Sequence, residues 1–238
     1  MKTFISIVLW PIWFFYFSIT IIILFVLFFI IPPKKLYIIL RPLCWSWCFM
    51  AGQWLGKKNM PPSSIDQPYI YMFNHSSMFD QFMIGAYTPH YITAVAAIEI
   101  FKYPIFGYII KKYGIIPIAR KNIKKAISSL TLVEKHLKNG TSFLISPEGT
   151  RSKNGELLEF KKGPFHLAKN TKTTIIPIGL LGAFEAKKKT DWRLSPGKVL
   201  IKFGKPITYR EFEDMSIEEL RDFVKKKIDL LIKDEDKK

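Results

Sequence analysis

A chain of 238 residues, 49% of them apolar and 15% aromatic, has enough hydrophobic material for one domain-sized core plus an appendage, which excludes disorder over most of its length. Lys and Arg number 36 against 19 Asp and Glu, and the formal charge of +17 asks for an anionic partner: nucleic acid, an acidic protein or an anionic lipid surface. Cys44 and Cys48 lie in an apolar stretch with no histidine near them, which argues against zinc and against a disulfide framework and leaves buried free thiols.

Residues 4–31 contain no charge. As a helix this run is about 40 Å long, more than hydrocarbon requires. It is too long for the apolar core of a cleaved signal peptide, and no A-x-A-like site follows it. Pro11 starts or kinks the helix. A second apolar stretch, 36–55, holds Arg41, Trp45, Trp47 and Trp54, side chains suited to the headgroup layer. Two arrangements fit: one span followed by an interfacial helix, or a two-helix hairpin dipping into one leaflet. Lys34, Lys35 and Arg41 outweigh Lys2 on the other side of the run, so the positive-inside rule puts the rest of the chain in the cytoplasm, at the inner membrane. An adjoining membrane segment directs the basic charge toward anionic lipid. The expected organisation is a membrane anchor over 1–58 (apolar helix 4–31, interfacial helix 36–55), a proline-rich linker over 59–68 and one domain over 69–238.

Past the linker, β-rich runs at 69–73, 91–95, 115–118, 142–145, 174–179 and 198–203 alternate with helical patterns at 78–87, 103–113, 123–137, 164–169 and 217–232. Several runs are almost continuously apolar, as in a sheet covered on both faces. The alternation predicts an α/β fold: a layered, mostly parallel or mixed sheet flanked by helices, with the N-terminal membrane-embedded two-helix segment appended. The last helix opens with a capping box, Ser216 and Glu219, and carries Leu220, Val224, Ile228 and Leu231 on one face. The charged tail, 233–238, is expected to fray.

Three segments carry candidate chemistry. Asn74-His75-Ser76-Ser77-Met78-Phe79-Asp80 follows the first predicted strand of the domain directly, where α/β proteins place ligands. Ser76 or Ser77 is suited to cap the next helix, and Asp80 falls in its first turn. With His75 still in the turn, the chain can bring it to Asp80, and an aspartate on one imidazole nitrogen sets the tautomer and stabilises the imidazolium. Ser146-Pro147-Glu148-Gly149-Thr150-Arg151-Ser152 follows another apolar strand; Gly149 lets backbone approach a ligand, and Arg151 can bind phosphate through two nitrogens. In the run 114–120 (GIIPIAR) a short strand ends in Arg120. Of the other histidines, His90 and His136 are expected to be solvated, and His166 to lie near or away from the site.

The order of these segments is specific. His-x4-Asp, Gly-x5-Arg, Glu-Gly-Thr-Arg and a late Ile176-Pro177-Ile178 strand resemble the four blocks of the glycerolipid acyltransferases, most of all the bacterial 1-acylglycerol-3-phosphate type. Phe160-Lys161-Lys162-Gly163 and the Gly204–Pro206 ending add to the resemblance, which spans about residues 69–207. It implies that His75 is the general base and Asp80 its orienting partner. It implies that Arg120, Glu148, Gly149, Thr150 and Arg151 bind the acceptor, the two arginines through its phosphate. It also implies an acyl-CoA or acyl-acyl carrier protein thioester as co-substrate, a lysophospholipid acceptor, membrane lipid as partner and no cofactor or metal. One departure stands out: members often carry a lysine before the second block, where this chain has Ala96 and Ala97, so that Lys102 or Lys111 compensates or the acceptor differs.

Two mechanisms remain open, direct transfer with His75 as base and an acyl-enzyme on Ser76 or Ser77. Among other classes, a basic membrane adaptor explains charge and anchor but not the His75–Asp80 pair. A nucleic-acid binder lacks a zinc-finger spacing or RNA-recognition signature, and a serine hydrolase lacks its Gly-x-Ser-x-Gly elbow.

Overall fold

The computed structural model of the chain describes residues 1–62 and 68–233. The middle of the expected linker, 63–67, and the tail beyond Lys233 lie outside the described residues. Two helices open the chain, α1 (Lys2–Leu27) and α2 (Pro33–Met50), followed by β1 (Gln53–Lys58). Then come β2 (Tyr69–Phe73), α3 (Asp80–Tyr87), β3 (Ile92–Ala97), a 3-10 turn (Ile98–Lys102), α4 (Pro104–Tyr113), β4 (Ile116–Ile118), α5 (Ile123–Lys138) and β5 (Ser142–Ile145). The last elements are α6 (Gly163–Thr171), β6 (Thr174–Leu181), α7 (Ala183–Ala186), β7 (Gly197–Phe203), α8 (Tyr209–Phe212) and α9 (Ile217–Lys233).

The strands form one seven-stranded sheet in the order β1-β7-β6-β2-β5-β3-β4. Every pairing is parallel except β6 with β7. Parallel neighbours need crossovers, which α3, α4, α5 and α6 supply. This is the expected layered α/β domain. All five residues of β2 are buried. Tyr69, Tyr71 and Phe73 face one core with Phe79 and with Met83 of α3, while Ile70 and Met72 face another with Val133 of α5, Phe165 of α6 and Val224 of α9. The period of two in the strand sends alternate residues to the two faces, so a sheet covered on both sides reads as an unbroken apolar run.

The N-terminal helices belong to the first of these cores. Trp13, Leu24, Leu36 and Trp47 are buried in it beside Tyr71 and Ile176. Trp13 donates from its indole to the Trp47 carbonyl (2.7 Å), and Trp47 donates to Thr20 Oγ1 (2.9 Å). The Tyr37 hydroxyl bonds the carbonyls of Gly85 (3.2 Å) and Thr88 (3.0 Å), tying α2 to the end of α3. The other side of α1 is bare and apolar, with Phe4, Ile7, Phe15, Ile22, Ile23 and Phe29 exposed. By length and composition α1 can cross a membrane. Cys44 and Cys48 are free and buried, as expected.

The boundary of the second helix differs from the expectation. It ends at Met50, short of the expected 55, and residues 53–58 instead pair in parallel with β7 from Gln53↔Gly197 to Lys58↔Lys202. Gly52, at φ +77°, turns the chain between helix and strand, a conformation that favours glycine. Trp54 and Leu55 continue the apolar composition across that turn, which hid the change of period.

Candidate active site

In the sheet register, Met72 of β2 lies opposite Ile145 of β5. The chain segments leaving these two carboxyl ends, 74–80 and 146–151, therefore emerge side by side. On the far side of β5, β3 pairs with β4, with Ala97 opposite Ile118, so Arg120 leaves the same edge of the sheet two residues past β4. This edge is where open α/β sheets bind ligands.

The first turn is built around the Asp80 carboxylate, which is fully buried. His75 Nδ1 lies 2.7 Å from Asp80 Oδ2, and the same oxygen accepts from the Ser76 N–H (2.8 Å) and the Ser77 N–H (2.9 Å). With that oxygen serving as an acceptor, the imidazole proton sits on Nδ1 and the Nε2 lone pair is left available. The His75 side chain keeps 16% exposure, so the ring is reachable although its partner is not. A separation of five residues works because α3 begins only at Asp80, leaving 75–79 free to wrap around the carboxylate. The expected serine cap is absent: Phe79 occupies the N-cap position with no side-chain cap bond. The Asp80 carboxylate instead reaches back from the helix entrance to the N–H groups of the two serines.

The second turn is stitched to the first. Glu148 is 2% exposed, and its two oxygens accept from the N–H of His75 (2.7 Å) and of Leu158 (3.1 Å). Burial pushes its pKa up, partly opposed by those two N–H groups. The Ser152 N–H donates to the His75 carbonyl (2.7 Å). His75 is thus held through both backbone groups, and Glu148, expected to meet the acceptor, spends its two oxygens on backbone N–H groups, one of them that of His75. Gly149 takes φ +69° and leaves Thr150 and Arg151 half-buried at the edge. Arg120 is exposed at the rim; desolvation lowers its pKa, Glu99 opposes that, and the nearby Arg151 charge adds to it. The structure therefore brings the two arginines into one electrostatic field beside the His75 turn.

Two further residues hold the arrangement without having been singled out. Asn74 donates to the Leu180 carbonyl (3.0 Å) and accepts from the Leu180 N–H (2.7 Å), pinning the end of β2 to β6; Ser152 is described above. A buried asparagine directly before the histidine was the available signal for the first, while the second acts through its backbone and leaves no signal in its side chain. His90 is not solvated as expected. It is 8% exposed, its Nε2 lies 3.1 Å from the Tyr71 hydroxyl, and burial lowers its pKa. His136 and His166 are exposed.

Comparison with known proteins bears on the family and the fold. The acyltransferase family model matches residues 54–181. A coconut (Cocos nucifera) protein named 1-acyl-sn-glycerol-3-phosphate acyltransferase is 38% identical over 149 residues, covering 62% of this chain and 48% of its own length. Proteins of the same name from Limnanthes douglasii and Saccharomyces cerevisiae are 35% and 30% identical over 161 and 181 residues, covering 66% and 75% of this chain and 55% and 57% of their own. The chain thus spans about half the length of the curated relatives it matches. The crystal structure of the 1-acyl-sn-glycerophosphate acyltransferase PlsC from Thermotoga maritima shares the fold, with a TM-score of 0.84 over 96% of this chain and 95% of that one at 23% identity. Matched over more than half its length, including both turns that meet at His75, the chain belongs to the acyltransferase family.

Proposed function

We propose that this chain transfers a fatty acyl group from acyl-CoA or acyl-acyl carrier protein to the sn-2 hydroxyl of 1-acylglycerol-3-phosphate, giving phosphatidic acid. The observation that carries the reading is the His75–Asp80 pair, with Nε2 open to the site, standing on the same sheet edge as Arg120 and Arg151. His75 Nε2 takes the proton of the acceptor hydroxyl as its oxygen attacks the thioester carbonyl. The tetrahedral intermediate collapses with loss of the C–S bond, and the imidazolium, stabilised by Asp80, protonates the leaving thiolate. The arginines hold the acceptor phosphate, so that positioning supplies much of the remaining acceleration. The thioester is consumed as co-substrate, and the reaction as written needs only proton transfer and positioning.

Ser76 is 3% exposed and Ser77 fully buried, which supports direct transfer over an acyl-enzyme on either. The bare side of α1 supports insertion into the cytoplasmic membrane, with the sheet domain on the cytoplasmic side and the basic surface against anionic lipid and an anionic donor. Ala96 and Ala97 at the end of β3 favour a second reading in which another lysolipid is the acceptor.

The test is acyl transfer by the purified full-length protein over a panel of lysolipids with both donors. Lysophosphatidate is expected as the preferred acceptor, and His75→Ala is expected to lose about 10²–10⁴-fold in kcat. Full activity in the His75→Ala variant sinks the mechanism, and preference for another lysolipid sinks the acceptor.

A further inference from the structure

The end of β3 offers no cation, and the site as built so far meets a phosphate with two arginines. A third cation arrives from a distant part of the chain. Lys189, in the connection between α7 and β7, donates from Nζ to Thr150 Oγ1 (2.9 Å) and to the Arg151 carbonyl (3.4 Å). Both partners are neutral. Among the described residues no carboxylate lies within ion-pair distance of Lys189, Arg120 or Arg151.

The connection is braced. Lys187 is 8% exposed and donates to the carbonyls of Lys188 (2.8 Å) and Asp191 (2.5 Å). The Asp191 carboxylate pairs with Arg193 (2.8 Å). From α1, Trp10 donates to the Trp192 carbonyl (2.8 Å), and Ser6 Oγ accepts from the Leu194 N–H (2.9 Å). Lys189 is therefore presented by a loop of defined shape. Desolvation and the charges of Arg151, Lys153 and Arg120 all lower its pKa. Like charges gathered with no carboxylate in direct contact repel one another, and an anionic ligand relieves that repulsion.

We propose that Lys189 completes the acceptor-phosphate site with Arg120 and Arg151 and makes it selective for a phosphomonoester over a phosphodiester headgroup. The assignment rests on the reading of this edge as the acceptor site. A phosphomonoester carries close to two negative charges above its second pKa of about 6, and a phosphodiester carries one, so a third cation acts mainly on the first.

The experiment uses the full-length protein and compares wild type, Lys189→Gln and Lys189→Arg with lysophosphatidate and with 1-acylglycerophosphocholine. For Lys189→Gln, KM for lysophosphatidate is expected to rise about 10-fold or more, with kcat within about 2-fold and KM for the choline lipid unmoved. Lys189→Arg is expected to stay within about 3-fold of wild type, because it keeps the charge. A fall in kcat with unchanged KM, equal losses with both acceptors, or no rescue by arginine overturns the assignment. Binding of inorganic phosphate, followed by phosphorus NMR, is read on the same three proteins and needs no turnover. If wild type ignores lysophosphatidate, the acceptor reading fails. The phosphate titration then still decides Lys189: weaker binding in Lys189→Gln supports its place in an anion site, and equal binding overturns it.

Discussion

The turn that carries His75 depends on how one carboxylate oxygen is shared. Asp80 Oδ2 takes three donors, while Oδ1 is buried with no partner. An asparagine can keep its carbonyl oxygen on the three donors and put its amide nitrogen where Oδ1 now sits, so Asp80→Asn is expected to fold with a melting midpoint close to wild type. It cannot stabilise the imidazolium by charge, so kcat is expected to fall about 10²-fold or more. A variant that melts normally and retains full turnover would show that His75 works without its partner's charge. Much of this site was legible residue by residue, because a histidine at a strand end and an aspartate in the next first turn carry their chemistry in their identity. The contacts of Glu148 and Lys189 were not. A buried glutamate that accepts from backbone N–H groups looks, in sequence, the same as one that faces a ligand, and a lysine among several others gives no sign of which one reaches Thr150.

At the scale of elements, six predicted strands were recovered from their apolar runs, of which β2, β5 and β6 are covered on both faces, a demand that excludes most other uses of such composition. The edge strand β1 was missed because it follows a helix without a break in hydrophobicity, and its pairing partner β7 lies more than a hundred residues away. The 3-10 turn before α4 was also missed, and its fit is tight. A Cβ placed on Gly107 would stand 2.3 Å from the Phe101 carbonyl oxygen, and the Gly107 N–H bonds the Tyr103 carbonyl (2.6 Å). Gly107→Ala must therefore move backbone rather than a side chain. It is expected to cost about 1–3 kcal/mol in a denaturant titration. A variant as stable as wild type would mean that the turn shifts without loss.

On the scale of the whole molecule, the N-terminal helices are packed as part of the domain. Trp13 is 2% exposed, meets Phe79 edge-on at a ring separation of 5.7 Å, and shares a core with the central strands. α1 also braces the loop that carries Lys189, through Trp10 and Ser6. Removing residues 1–50 is therefore expected to expose one face of the sheet and yield an insoluble or unfolded product. The check is expression of 51–238 beside the full chain, read by solubility, circular dichroism and acyl transfer. A soluble, folded and active 51–238 would overturn the view that these helices carry part of the core.

By itself the sequence determined the α/β class, the alternation of six strands and five helices past the linker, the apolar N-terminus, the free buried thiols and the identity of the histidine, aspartate and arginine groups. Each of these follows from local pattern or from the chemistry of a single side chain. Tertiary structure alone decided that α1 and α2 complete a core, that 53–58 is a strand, that Glu148 grips the backbone of His75, and that Lys189 meets Thr150. These depend on which distant segments the sheet order sets side by side, and pairing across a sheet leaves almost no trace in the residues next to it in the chain.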